Sequence, residues 1–199
     1  IKTMKSFDFK AGQYVFLKFC HSREAHPFSI AGYDKENNTL RFLIKELGDF
    51  TKELSKNIKK DDIITVEGPY GSFTFNDSKA QQIWTAGGIG VTPFAARLEY
   101  LVSLGQKVDN VDFFYSARGE NPYPELADLS EKAGVRFHYR NTSKEGRLNF
   151  NIIKEKIKDI KDTSLWYCGP AAFGETLQKS AAAGGISKKD IHYDSFDMR

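Results

Sequence analysis

The sequence predicts two domains: a small antiparallel β-barrel over residues 1–78, then an α/β doubly wound parallel sheet over 79–199. Three observations carry this. Short aromatic and β-branched runs in the first part are separated by turn residues, as in small barrels. In the second part strand-like runs alternate with helical periodicity, which implies a parallel sheet whose ligands lie beyond the carboxyl ends of its strands. Between them, Ile83-Trp84-Thr85-Ala86-Gly87-Gly88-Ile89-Gly90-Val91-Thr92-Pro93-Phe94 reads as a buried strand, a glycine turn and a helix start.

The elements follow in order. Gln13-Tyr14-Val15-Phe16-Leu17-Lys18-Phe19, then 39–44, then 63–66, are strands rich in residues that suit a pleated surface. Asn37-Asn38 and Lys60-Asp61-Asp62 mark turns, and Gly68-Pro69-Tyr70-Gly71 reads as another tight turn before 72–75. One short helix spans 50–56. A polar stretch, Asn76-Asp77-Ser78-Lys79, marks the boundary. Beyond it, strands near 82–86, 110–116, 135–139, 164–168 and 191–196 alternate with helices at 92–104, 124–132, 150–160 and 171–183. Thr92 suits the N-cap of the first of these helices, Pro93 its first turn, and Gly105 its end. Asn149 suits the N-cap of the third, with Leu148 and Ile153 spaced as a hydrophobic staple.

Composition narrows the function classes. With 40% hydrophobic residues among 199, the chain can bury a real core. No apolar run approaches the ~20 residues of a membrane span, and no signal peptide opens the chain. A formal charge of +3 with interspersed signs is not a nucleic-acid footprint. The 2 cysteines, Cys20 and Cys168, cannot form a disulfide framework or hold an iron–sulfur cluster, and they fit a reducing, cytosolic setting. The 4 histidines, His21, His26, His138 and His192, show no metal-ligand spacing, so no metal is expected.

The glycine run carries the chemistry. Gly87, Gly88 and Gly90 remove side chains where a flat or anionic ligand could approach, and free amides at a helix start favour an anion. Such a run also serves as a plain tight turn. Three segments accompany it: His26-Pro27-Phe28-Ser29 after the first strand, Gly48-Asp49-Phe50-Thr51 where the short helix begins, and Cys168-Gly169-Pro170 at the end of the fourth parallel strand. In this order the set resembles the ferredoxin–NADP⁺ reductase superfamily over nearly the whole chain. Its flavin signature is R-x-[YF]-[ST], followed by G-x-x-[ST], G-G-x-G-x-[ST]-P and a late C-G-P. Here His26 stands where the family has Arg. That variant, with Gly68-Pro69-Tyr70-Gly71 and the terminal Phe196-Asp197-Met198-Arg199, resembles the ferric reductase and NADPH oxidase branch.

The resemblance implies a flavoprotein oxidoreductase with FAD and NAD(P)H as cofactors. It places Ser29 at the flavin N5 edge and Cys168 beside the nicotinamide, the two residues expected at the reacting atoms. Cys168 is expected to shape geometry there rather than to act as a nucleophile, and a small buried apolar role suits it too. Phe28 offers a ring to the flavin and equally suits a core. FAD is expected at His26, Pro27, Phe28, Ser29, Gly48, Asp49, Phe50 and Thr51, with a plain helix cap as the rival role for the last four. His26 is a weaker pyrophosphate partner than Arg, which leaves that task to the helix start at 48–51. The nucleotide is expected at Gly87, Gly88, Gly90, Val91, Thr92, Pro93, Ser116, Gly169 and Pro170, with Phe196 closing the site. Arg118 and Arg140 are candidates for a 2′-phosphate or are surface charges. With no acidic residue ending either strand, NADPH is mildly favoured over NADH.

Family members begin with extra barrel strands, whereas only residues 1–8 precede the segment from Phe9 here. The resemblance therefore implies a piece of a longer protein, with a haem-bearing membrane domain upstream in the ferric reductase branch. It places this piece, itself soluble, on the cytoplasmic side of the membrane. The expected function is hydride transfer from NAD(P)H to FAD, then single electrons to an acceptor outside the chain, haem or ferric iron. The alternatives are a soluble NAD(P)H:flavin reductase, distinguished by weak flavin retention, and a non-catalytic nucleotide-binding module, distinguished by lack of flavin bleaching.

Overall fold

The computed structural model describes residues 1–196 except His21 and Lys158. The terminal Asp197-Met198-Arg199 of the expected motif lies outside the described residues. The first domain is an antiparallel, barrel-like sheet of β1 (Tyr14–Phe19), β2 (His26–Asp34), β3 (Thr39–Phe42) and β4 (Ile64–Tyr70), ordered β3-β2-β1-β4. Alternation fixes its faces. Val15, Leu17 and Phe19 of β1 are buried with Ile30 and Leu40, while Tyr14, Phe16 and Lys18 face outward. Helix α1 (Asp49–Asn57) adds Leu54 to that core.

One expected turn is a strand. Gly68, Pro69 and Tyr70 belong to β4, and the pairing of β4 with β1 shifts register between Tyr14 and Phe16. The glycine and proline there mark a bulge in a paired strand, one of the places a sheet accepts such residues.

The second domain is a five-stranded parallel sheet, ordered β7-β6-β5-β8-β9. Its strands are β5 (Gln81–Gly87), β6 (Val111–Ala117), β7 (Arg136–Asn141), β8 (Thr163–Pro170) and β9 (Ile191–Phe196). Both faces are covered, so β6 is buried from Val111 to Ser116 and β8 from Thr163 to Gly169, as parallel strands require. Helices α2 (Thr92–Ser103) and α3 (Glu125–Ala133) cover one face around Trp84, Phe94 and Phe113. Helices α5 (Phe150–Lys156) and α6 (Ala171–Ala183) cover the other around Ile153, Leu165 and Tyr167. Asn149 caps α5, its side-chain oxygen accepting from the Ile152 N–H at 3.1 Å, and Leu148 and Ile153 are both buried as a staple requires. A further short helix, α4 (Thr142–Glu145), follows β7.

The segment between the sheets is built into the second core. Phe73 lies 5.1 Å from Trp166 and Phe75 lies 4.9 Å from Trp84, ring centre to ring centre, and both rings touch Phe94. Asp77 accepts from Trp166 Nε1 at 3.0 Å and from Gln82 Nε2 at 3.1 Å. The two sheets also meet where α2 lies along β2 and Arg41 of β3 pairs with Glu99 of α2. No helix among the described residues is long and apolar enough to cross a membrane.

Candidate functional site

Two turns meet at the carboxyl edge of the parallel sheet. Gly87 ends β5, and a 3₁₀ turn, Gly88–Val91, runs directly into α2. Thr92 is therefore not the side-chain cap the sequence predicts. The helix has already begun, and the Thr92 hydroxyl donates back to the Ile89 carbonyl at 2.8 Å. The first residues without a preceding helical turn are 88–90. Pro93 sits in the first turn of α2, as expected, and Val91 and Pro93 are buried beneath the turn.

The second turn is Cys168-Gly169-Pro170 at the end of β8. It packs backbone against backbone on the first. A Cβ placed on Gly90 would stand 2.2 Å from the Cys168 carbonyl oxygen, and one on Gly87 would stand 2.9 Å from Pro170. Gly88 differs. Its φ is +56°, and nothing lies within 4 Å of where its Cβ would be, so its outer face is open. Cys168 pairs in register with Ala86 and Asp194, and its side chain is wholly buried in the core shared with Trp166. Burial pushes its thiol well above the usual range, and the Asp194 charge adds to that. A protonated buried thiol is a wall, not a nucleophile. Pro170 pairs in register with Phe196 of β9.

Ser116, at the end of β6, donates to the Ala86 carbonyl at 3.3 Å and so ties the two strand ends together. Arg118 beyond it is exposed, with no partner among the described residues. Arg140, at the end of β7, is fully engaged. Its Nε donates to the Gly146 carbonyl at 2.9 Å, another nitrogen donates to the Glu145 carbonyl, and Nη1 lies 3.7 Å from the Glu145 carboxylate. Neither β6, which ends at Ala117, nor β7, which ends at Asn141, finishes on an acidic residue, as the sequence predicts. Helix α4 folds Glu145 back until Oε1 accepts the Asn141 N–H at 2.8 Å.

The barrel residues divide by face. His26 stacks on Phe50, ring centres 3.6 Å apart, and Phe28 packs edge-on to Phe19 on the core side of β2. Ser29 points the other way, because Ile30 beside it points into the core. A Cβ at Gly32 would run into Glu99, so the outer face of β2 is the one α2 covers. Ser29 is 7% exposed, and its hydroxyl has no hydrogen-bond partner among the described residues. Phe28 and Ser29 thus address opposite sides of the strand.

Residues the motifs did not single out stand beside Ser29. Tyr14 lies directly across from it on β1, and Tyr70 lies across from Tyr14 on β4. Tyr14, Phe16 and Tyr70 form an outward aromatic patch with ring centres 5.7–6.0 Å apart, and exposed Pro27 pairs with Phe16. Strand alternation from Val15 and Leu17 was the signal that could have found them.

Beside His26, where β2 begins, the start of α1 is closed. The Thr51 hydroxyl accepts from the Gly48 and Leu47 N–H groups at 3.1 and 2.9 Å and donates to the Gly48 carbonyl. Thr51 is a helix cap, and its hydroxyl is not free for a pyrophosphate. Asp49 already sets a carboxylate in the first turn. A cavity of about 370 Å³ beside it is lined by Ser22, Arg23, His26, Phe50, Glu53 and Asn57, among others. Arg23 is the cation there that the motifs did not single out.

The pieces suit a flat ring: a hydroxyl without a partner among the described residues, an adjoining aromatic face and an open glycine turn. Residues 1–74 match an FAD-binding domain family. The reductase component of a propane 2-monooxygenase from Mycolicibacterium smegmatis is 29% identical over 96% of this chain. The chain spans 60% of that relative's length. The flavohaem-like FAD/NAD-binding domain of nitric oxide dioxygenase from Vibrio cholerae superposes with a TM-score of 0.80 at 24% identity, covering 96% of this chain and 86% of that one. A ferredoxin–NADP⁺ reductase from Neisseria gonorrhoeae, solved with bound FAD and NADP, also gives 0.80, at 17% identity over 98% of this chain and 89% of its own. The chain thus has the two-domain fold of these reductases, and its first 74 residues match an FAD-binding domain.

Proposed function

We propose that this chain carries electrons from NAD(P)H through FAD to an acceptor outside itself. The observation that carries the reading is the match of residues 1–74 to an FAD-binding domain, joined to a parallel sheet whose glycine turn stays open at Gly88. The chemistry that FAD supplies when bound is acceptance of hydride from the nicotinamide and release of single electrons.

The residues of the chain do the positioning. The Ser29 hydroxyl holds the reactive edge of the flavin, and Tyr14, Phe16 and Tyr70 give its ring an apolar face. Gly88 leaves room for the nucleotide, and the amides of 88–90 receive its pyrophosphate. Cys168 and Gly169 form a neutral wall that fixes the nicotinamide and excludes water. Arg23, which lines the cavity beside His26 and Phe50, is the cation that holds the FAD pyrophosphate. No side chain has to move a proton for hydride transfer. The His-Pro-Phe-Ser run supports the finer reading of a ferric reductase-like chain whose acceptor is haem or ferric iron, attached to the membrane only through its remaining part.

The test is anaerobic stopped-flow mixing of the chain, loaded with FAD, with NADH or NADPH. Loss of flavin absorbance at rates well above those of free flavin is expected. Bleaching no faster than free FAD contradicts an oxidoreductase and favours a binding module.

A further inference from the structure

We infer that the contact between Gly12 and the Phe73 carbonyl is the joint that sets the spacing of flavin and nicotinamide, with Gly12 and Phe73 as positioning residues on its two sides. The inference rests on the hydride-transfer reading above and deepens it. Hydride transfer needs the two reacting atoms about 3–3.5 Å apart, so two rings held on separate sheets need something stiff between those sheets. Packed backbone and buried rings supply that stiffness, whereas an exposed ion pair does not.

Gly12 forms the barrel side of the joint. It is buried, its φ is +97°, and a Cβ on it would overlap the Phe73 carbonyl oxygen. Only glycine lets the loop before β1 lie this close to the connecting segment. The next residue ties that loop to the flavin face. The Gln13 carbonyl accepts from the Ile30 N–H at 3.1 Å, and the Gln13 side-chain nitrogen donates to the Gly71 carbonyl at 3.2 Å. Tyr14 follows, directly across from Ser29.

On the other side, residues 73–79 are fastened to the parallel sheet at every second position. Phe73 lies against Trp166 and Phe94, and Phe75 lies against Trp84. Asp77 accepts from Trp166 Nε1, and Lys79 Nζ lies 3.0 Å from Asp190 and 3.3 Å from Asp162. Phe75 holds a φ of +60°, a conformation that a non-glycine residue keeps only where its surroundings over-determine it. Trp166 precedes Cys168 on the same face of β8, and Phe94 follows Pro93 at the glycine turn. A short run of packed backbone and rings thus leads from Ser29 to Cys168 through Gly12 and Phe73. The other bridge between the sheets ends on the Arg41–Glu99 pair, which is partly in water and can follow a small displacement.

Anaerobic stopped flow of the FAD-loaded chain tests this, with whichever of NADH and NADPH bleaches the unaltered chain faster. A methyl group at Gly12 must move the loop or the connecting segment by on the order of 1 Å, and a misplacement of that size costs on the order of 10²-fold in rate. Gly12→Ala should therefore slow flavin reduction at saturating nucleotide by roughly tenfold or more. It should also weaken the long-wavelength charge-transfer absorption of stacked nicotinamide and flavin. Phe73→Leu keeps an apolar side chain but loosens the ring contacts. It should act in the same direction by roughly threefold, and it carries the test if Gly12→Ala does not fold. FAD and ADP affinities, titrated separately, should stay within about twofold of the unaltered chain. A loss of rate that follows a loss of either affinity means the two residues only hold their own domains together, and it overturns the inference. An unchanged rate in the folded variants overturns it too, while the hydride-transfer reading stands. If the unaltered chain bleaches no faster than free FAD, that reading fails, and this inference with it.

Discussion

The chain enters a helix from a glycine at two candidate phosphate-binding places, and physics treats the two differently. At 87–93 the glycines are forced by packing. The β8 turn presses on them, and Gly90 has 2.2 Å where a Cβ would need more than 3. At 48–51 nothing lies within 4 Å of a Cβ on Gly48, its φ is an ordinary −129°, and Thr51 caps the helix by itself. The same local signature therefore marks a tertiary contact in one region and a plain helix start in the other. A motif shows where the backbone bends; only the neighbour explains why the residue must be glycine.

Each region also carries one cysteine, and that gives the largest contrast. Cys20 is exposed near the open end of the barrel, whereas Cys168 is buried beneath the packed turn. A thiol reagent at pH 8 should label Cys20 at least two orders of magnitude faster, since Cys168 must wait for opening and its thiol stays protonated. Comparable rates would mean the β8 turn is not closed. The pH dependence has a fixed sign. The folded thiol is raised, so the unfolded chain ionises first, near pH 8.5. The stability that Cys168 contributes is complete below that value and falls as pH rises above it. Cys168→Ser, which takes away the titrating thiol, should flatten the alkaline limb of a denaturant-midpoint profile.

A smaller effect separates the glycines. Gly90→Ala should destabilise the chain by about 2–3 kcal/mol, because a carbonyl on packed backbone cannot swing aside. Gly48→Ala should cost only about 0.5 kcal/mol, the difference between N-cap residues. Urea midpoints measure both, and similar losses at the two sites would erase the distinction drawn here.

Much of the second domain was legible in the sequence. Its five strands, the long helices and the Asn149 cap follow from periodicity and local chemistry that tertiary packing does not override. The first domain was less so. Gly68 and Pro69 look like a turn from sequence, since a bulge depends on the partner strand, and which face Phe28 takes depends on Ile30 and on α2. Thr92 loses its cap role because the 3₁₀ turn starts the helix earlier. Among site residues, the glycine run and Cys168 were legible as a pair of strand-end turns. Arg23 was not, because only the fold brings it to the cavity beside Phe50. Tyr14 was hidden for a similar reason: only the strand register sets it across from Ser29.

The central claim is that the hydroxyl of Ser29 meets the reacting edge of the flavin, beside the aromatic face of Tyr14. The direct measurement is the rate of flavin reduction in Ser29→Ala at saturating nucleotide, followed in anaerobic stopped flow, with ADP affinity titrated alongside. Loss of one positioned hydrogen bond of about 1.4 kcal/mol predicts a roughly tenfold slower reduction with ADP affinity unchanged. An unchanged reduction rate, or a loss of rate that follows a loss of ADP binding, would contradict the account.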